Sequence, residues 1–217
     1  MIQKSLILDT SLVQSVLKDS KQVHRLPIQS KAKNLQCLGQ PCIDHRAEGD
    51  PWYGDKVWSI RTQSGAWADY SREEFLNLCP YKKGDYVWVR ETFATLHCGD
   101  YSEISPWDRS CQETRFKASE RPEIANESDH EVRGYRWRPS SQMPKHCSRL
   151  TLKVLDVNVE PIQKITPKEA LREGFSDLAS FAFYWTQKYQ KCGLGWDNNP
   201  FAWVIEFEPI RQNISQI

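Results

Sequence analysis

Long apolar runs are missing from this sequence: none of its 217 residues sits in a stretch approaching the roughly 18 consecutive apolar residues of a membrane helix. The N-terminal MIQKSLILDTSLVQS lacks the charged, then apolar, then small order of a secretory leader. An excess of charge is missing too. Lys+Arg 29 against Asp+Glu 28 leaves a net charge of +1. That excludes a histone-like coat for nucleic acid, and any such site must be a local cleft of positive charge. With 26% charged and 39% hydrophobic residues the chain is neither disordered nor membrane-spanning. There is no Walker, GxGxxG, HExxH or nucleophile-elbow pattern, no internal repeat and no low-complexity tract. These absences predict a soluble, cytoplasmic protein with one domain over 1–217, no cofactor and no membrane partner.

Cysteine is present, but its spacing is uninformative. The seven Cys include no C-x-x-C pair and their number is odd. Free thiols in a reducing compartment are the expectation. Cys37, Cys42 and His45 are close in sequence, as are His97–Cys98 and His146–Cys147, but none has recognised zinc-ligand spacing, so no metal is expected. The unusual number is nine Trp. Trp is bulky and brings an N–H that needs a partner, which suits aromatic-lined grooves as well as core.

The periodicities predict an α+β chain. A helix is expected over 9–19, with Leu12, Val13, Val16 and Leu17 on one face. Residues 30–52 read as loop. Strands are expected over 55–62 and 66–71, around a Gln63-Ser64-Gly65 turn. A two-sided apolar strand is expected at Tyr86–Arg90, after the Gly84-Asp85 turn. Residues 97–134 are polar and read as an insertion, with a strand at 114–118 and its least ordered part at 119–132. The strand over 150–162 shifts phase near Leu155, which suggests a bulge. Thr166, Pro167, Glu169 and Gly174 give nearly complete start and stop signals for a short helix. A longer helix over 175–191 buries Leu178, Phe181, Ala182, Trp185 and Tyr189, and a strand over 201–210 closes the chain. The simplest architecture is a small β-barrel with flanking helices.

Three places could carry chemistry. Lys21, His24 and Arg25 gather donors for a phosphate or carbonyl after a helix end; the alternative is a solvated basic turn. Glu173 lies at the negative end of a helix dipole, at a cost of about a few tenths of a kcal/mol. Such a charge marks either an acid or partner at a site, or an indifferent surface residue. Arg90 and Glu91 end a two-sided strand and must face a cleft or leave the sheet. Trp137, Arg138, Ser140 and Arg149 combine a stacking surface with guanidinium groups, suited to a base and a phosphate. Arg on Trp also pins loops.

The stretches VLKDSKQVHR, CPYKKGDYVWVRETF, YRWRPSSQMPKHCSRLTLKVLDVNVEPIQKITPKEALREGF and NPFAWVIEFEPI, in this order, resemble the ASCH domain family, within the PUA-like superfamily, in its longer phage and prophage form. The runs WRPS-x-x-MP and GD-x-x-WVRE are its specific part. The resemblance implies a PUA-like β-barrel with a cleft and an RNA- or nucleotide-related role. One small branch of the family is an amidohydrolase of N4-acetylcytidine, with a Lys, a Thr three residues on, and a Glu in a short helix. Lys21 and Glu173 match the Lys and the Glu; His24 stands at the Thr position, so the hydroxyl nucleophile of that branch is absent.

Two functions follow. In the first, the chain binds RNA or a modified nucleotide, with Lys21, Arg25, Arg90, Arg138 and Arg149 at phosphate or sugar and Trp137 stacking on a base. In the second, it is a hydrolase of an acylated nucleoside or of RNA, centred on Lys21, His24 and Glu173. A phage accessory protein meeting a host protein through the insertion is a third reading.

Overall fold

Period-two and period-3.6 apolar patterns form ten strands and six helices in the computed structural model, which describes residues 4–28, 42–43, 47–50, 56–61, 66–109 and 111–217. The strands are β1 (Lys4–Ile7), β2 (Val23–Pro27), β3 (Cys42–Ile43), β4 (Lys56–Arg61), β5 (Trp67–Tyr70), β6 (Tyr86–Arg90), β7 (Phe93–His97), β8 (Gln112–Phe116), β9 (Thr151–Pro161) and β10 (Phe201–Ile210). The helices are α1 (Thr10–Leu17), α2 (Arg72–Leu76), α3 (Pro122–Ala125), α4 (His130–Arg133), α5 (Pro167–Arg172) and α6 (Leu178–Tyr189). They make a mixed α+β protein. Among the described residues no ring of strands closes into a barrel, and no helix is long and apolar enough to cross a membrane. The expected Gln63–Gly65 turn, and most of the expected 30–52 loop, lie outside the described residues.

The residues divide into two compact units. One comprises Met1–Gln22, Gly84–Val154 and Phe207–Ile217; the other comprises Val23–Lys83 and Leu155–Glu206. In the first unit β1 runs parallel to β6, from Lys4 opposite Val87 to Ile7 opposite Arg90. β6 pairs antiparallel with the start of β9, Val87 facing Leu152. Gly84 has φ +87, the left-handed backbone that a side chain would disfavour, and its N–H reaches Val154 O at 2.8 Å to start the ladder. Leu12, Val13 and Val16 of α1 are buried, as their spacing predicts.

The stretch read as a loose insertion is organised. β7 and β8 form an antiparallel hairpin from Phe93 opposite Phe116 to His97 opposite Gln112. Its register makes Cys98 and Cys111 the next facing pair, and they form a disulfide with Cα atoms 5.5 Å apart. Free thiols were the expectation for all seven cysteines. The hairpin overturns it here by bringing together two residues 13 apart in sequence. Residues 119–132 carry α3 and α4, with Ala125 buried and Ile124 packed on Ala94, Leu96 and Tyr135. Ile124 and Ala125 anchor α3, so the expectation of a poorly ordered segment is corrected there, whereas α4 has no buried residue and its Val132 is exposed.

In the second unit the early part of β10 pairs antiparallel with β2, from Ala202 opposite Pro27 to Glu206 opposite Val23. Both faces of β10 are covered, with Ala202 and Val204 buried as well as Phe201, Trp203 and Ile205. Trp58 stacks on Phe75 at 4.7 Å between ring centroids, and Phe201 and Trp203 meet the same pair at 5.1 and 5.2 Å. A second cluster joins Ile162, Ile165, Ala170, Phe181, Trp185 and Ala202, which seats α5 and α6. Thr166 and Glu169 form the expected capping box of α5, and Gly174 follows it at φ +90. Along β9 the inward phase changes at Leu155–Asp156, two successive exposed residues, one position beyond the expected break.

The disulfide yields a stability test. Closing a loop of this length restrains the unfolded chain by about 2–3 kcal/mol. Reduction, or Cys98→Ser, should lower the unfolding free energy by that amount and the urea midpoint in proportion. Equal midpoints with and without reductant would show that the pairing contributes nothing.

Candidate functional site

The K-x-x-H-R run is not a solvated turn. Val23–Pro27 is strand β2, and Lys21, His24 and Arg25 are all buried. Lys21 belongs to the first unit, His24 and Glu173 to the second. Within the second unit Arg25 is the centre of a charge cluster. Its guanidinium meets Glu173 Oε1 at 3.2 Å, Glu169 Oε1 at 3.2 Å and Glu160 Oε2 at 3.8 Å. His24 Nδ1 lies 3.9 Å from the other oxygen of Glu173.

Each position follows from local structure. Glu173 is the C-cap residue of α5, Glu169 closes its first turn, and Glu160 stands near the end of β9. Spacing i, i+4 puts Glu169 and Glu173 on one helix face. The anti-dipole charge of Glu173 is thus offset by Arg25, the partner that its placement called for. Burial alone would raise the Glu169 carboxyl. Hydrogen bonds from the Thr166 N–H and hydroxyl, together with Arg25, outweigh that and hold it below the usual carboxylate range. Arg25 was expected at phosphate or sugar; with its side chain only 1% exposed and its donors on carboxylates, it is instead structural.

Arg149 is committed in the same way in the first unit. It makes a bidentate pair with Glu91, both bonds 2.9 Å, and its guanidinium lies 4.0 Å from the Phe116 ring centroid. Burial pushes the Glu91 carboxyl up, and the hydrogen bond and charge of Arg149 pull it part of the way back. Trp137 is not an open stacking surface either. Its ring meets Tyr135 edge-on at 5.1 Å and its N–H donates to Ala125 O at 3.1 Å.

Arg90 and Arg138 do come together. Both line a cavity of about 520 Å³ in the first unit, with Trp88, Trp107, Ser141 and Lys145. Arg90 donates through Nε to Ser140 O at 3.1 Å and through a terminal nitrogen to Ser141 O, and lies 5.5 Å from the Trp88 ring centroid. Arg138 donates to Glu103 Oε1 at 3.1 Å and Ile104 O at 3.3 Å. Its Nε is buried with no hydrogen-bond partner among the described residues. Ser140 contributes its carbonyl rather than its hydroxyl.

Trp107 and Lys145 were missed by sequence reasoning. The signal for Trp107 was a single Trp in the stretch ISPWDR, within the polar run 97–134, where few apolar side chains could cover it. It is 70% exposed. Its loop is nonetheless fixed. Arg109 can only donate, so His146 Nδ1 accepts from it at 3.1 Å and the Nε2–H goes to Pro106 O at 2.9 Å. Burial first, and the charge of Arg109 second, hold the imidazole below its ordinary pKa. The neutral ring this bonding needs is therefore favoured. Gln112 donates to the same Pro106 carbonyl at 3.2 Å.

Three variants test the buried pairs. Arg25→Met leaves buried carboxylates uncompensated and should cost about 3–5 kcal/mol in urea unfolding. A cost near the roughly 0–1 kcal/mol of a surface pair would refute its central place. The pH dependences should have opposite signs. Glu169, with its folded pKa depressed, contributes stability that is present above the unfolded value and lost as pH falls through the folded one. Glu91, with its folded pKa raised, contributes most below the unfolded value and loses this as pH rises through the folded one. Glu169→Gln should weaken the acid-side fall in stability, and Glu91→Gln the decline toward neutral pH.

No protein-family model, curated protein or solved structure matches this chain.

Proposed function

We propose that the chain is an ASCH-type, PUA-like protein that binds a short single strand of RNA, or one modified nucleotide, in the first unit's 520 Å³ cavity. The observation that carries this reading is the exposed Trp107 indole on the same cavity as Arg90, Arg138 and Lys145. A base stacks on an indole face whatever its identity, and cations beside it hold the phosphate. The cavity volume falls in the range of small-ligand sites, about 300–1,000 Å³. Lys145 is exposed and adds a compact ammonium charge, while Arg90 and Arg138 are held in place by carbonyls and Glu103. The barrel and the ASCH assignment rest on the sequence resemblance alone.

A hydrolase of an acylated nucleoside such as N4-acetylcytidine, or of RNA, is the second reading. It is favoured by the burial of His24 and Glu173, 3.9 Å apart, at two positions of the resembling motif, with Lys21 buried as well. Against it stand the missing hydroxyl nucleophile and the commitment of Glu173 to Arg25. A host-protein partner has no observation in its favour beyond the sequence reading.

Binding of short single-stranded RNAs, followed by fluorescence anisotropy over a salt series, tests the proposal. Trp107→Ala should weaken binding by about tenfold, from a stacking contribution of roughly 1–3 kcal/mol. Lys145→Ala should weaken all sequences alike and reduce the salt slope by about 0.7. Unchanged affinity in both variants would remove the cavity from consideration. Turnover of N4-acetylcytidine, lost in His24→Ala and Glu173→Gln, would favour the second reading instead.

A further inference from the structure

A second cavity, of about 230 Å³, opens in the first unit, and its lining includes Arg115, Arg121, Arg133, Glu120, Tyr101 and Tyr135. Three guanidinium groups therefore face one carboxylate. Arg115 lies 2.7 Å from Glu113 and 3.9 Å from Glu120. Nε is the atom beside Glu113 Oε1 and Nη1 the one beside Glu120 Oε2, so this guanidinium is already ion-paired, and the open positive charge rests with Arg121 and Arg133. Arg133 lies 5.5 and 5.3 Å from the Tyr135 and Trp137 ring centroids and donates to Tyr135 O at 2.8 Å and to Glu127 O. Carbonyls and rings orient this cation without neutralising it. Arg121 is exposed and has no ion pair among the described residues. Cations gathered in a concave surface repel one another and focus a positive field, and an anion relieves both effects. Guanidinium groups match the oxygens of a phosphate in geometry as well as charge.

We infer that this cavity is a phosphomonoester site, separate from the cavity proposed to bind a base. Its volume lies below the usual range for drug-sized ligands, about 300–1,000 Å³. It therefore suits a phosphate carried on a single sugar, with the exposed Tyr101 along the sugar, rather than a whole nucleotide. The chemistry is shared by two sources: the 5′-phosphate of a nucleic-acid end, and a free sugar phosphate.

The experiment is calorimetric titration with ribose 5-phosphate, with ribose as the uncharged control. Arg121 supports no other part of the fold through an ion pair, so Arg121→Ala should remain folded, which its circular dichroism checks. Saturable binding of the phosphate but not of ribose is expected, weakened about tenfold or more in Arg121→Ala, the loss of one charged hydrogen bond. Arg138→Ala, in the other cavity, should leave this binding unchanged. That outcome keeps the inference independent of the RNA reading. No saturable binding at millimolar ribose 5-phosphate, equal binding of ribose, or unchanged affinity in Arg121→Ala overturns it. So does loss of binding in Arg138→Ala, which would place the phosphate in the first cavity. Tetranucleotides with 5′-phosphate or 5′-hydroxyl ends then separate the sources. A gain from the 5′-phosphate that Arg121→Ala abolishes assigns the site to a nucleic-acid end. Binding confined to ribose 5-phosphate assigns it to a free sugar phosphate.

Discussion

The buried guanidinium of Arg25 constrains the second unit more tightly than any apolar contact around it. Apolar packing tolerates sliding, whereas a planar fork of donors matched to fixed carboxylates does not. Arg25 comes from the middle of β2 and reaches Glu160 on β9, Glu169 in the first turn of α5 and Glu173 at its end. One oxygen of Glu169 receives Arg25 while the other closes the capping box with Thr166. A rotation of α5 about its axis would break both at once. The rotation of α5 in turn sets Ala170 toward Phe181, Trp185 and Ala202, and so seats α6. Carboxylates as buried as Glu173 are tolerable only with such a partner.

The first unit applies the same solution at the end of a strand pair. Glu91 follows β6 directly and Arg149 stands just before β9, so their bidentate bond closes the place where that ladder ends. The end of the segment that leads into β9 is tied down by hydrogen bonds. Ser148 Oγ donates to Val89 O at 2.8 Å, and Asn213 Nδ2 donates to Lys145 O at 2.7 Å and Ser148 O at 2.6 Å. A cavity wall that lies outside the sheets is thereby fixed by hydrogen bonds to its backbone. That firmness suits a ligand cavity, because less ordering remains to be done on binding.

Local signals were legible wherever the deciding interaction is local. The Thr166-Pro167-Glu169-Gly174 set gives α5 within a residue at either end, and the alternation from Phe201 gives β10. Ser71 and Glu74 carry the same capping signature, and α2 could have been read from it. β1 is only four residues long, and its place beside β6 depends on a partner some 80 positions away, as Lys4 and Asp85 illustrate. The K-x-x-H-R run was ambiguous for a related reason. Whether Arg25 is a surface cation or a buried one is decided by Glu173, 148 positions later. Sequence grouped Arg90 and Arg138, which line one cavity, because their segments are rich in both cations and rings. It could not separate them from Arg149 and Trp137, since nothing in a short motif tells an occupied guanidinium or indole from an open one.

This distinction also explains how a chain of net charge +1 can offer positive cavities. Buried cations require buried or half-buried anions beside them, and Arg25 and Arg149 take Glu173, Glu169, Glu160 and Glu91 out of the surface balance. Carboxylates held in this way no longer oppose the cations that face solvent. Arg90, Arg138 and Lys145 line one cavity, where Glu103 pairs with Arg138, while the molecule as a whole stays nearly neutral. Near-neutrality removes long-range steering toward nucleic acid, so on the proposed reading recognition would come from contact: a base on Trp107 and one or two phosphates beside it. A site of that kind has a shallow salt dependence, about 0.7 in slope for each phosphate neutralised on a single strand. It discriminates by what can stack and fit rather than by charge, which is the behaviour required to select one nucleotide or a short strand from a background of duplex.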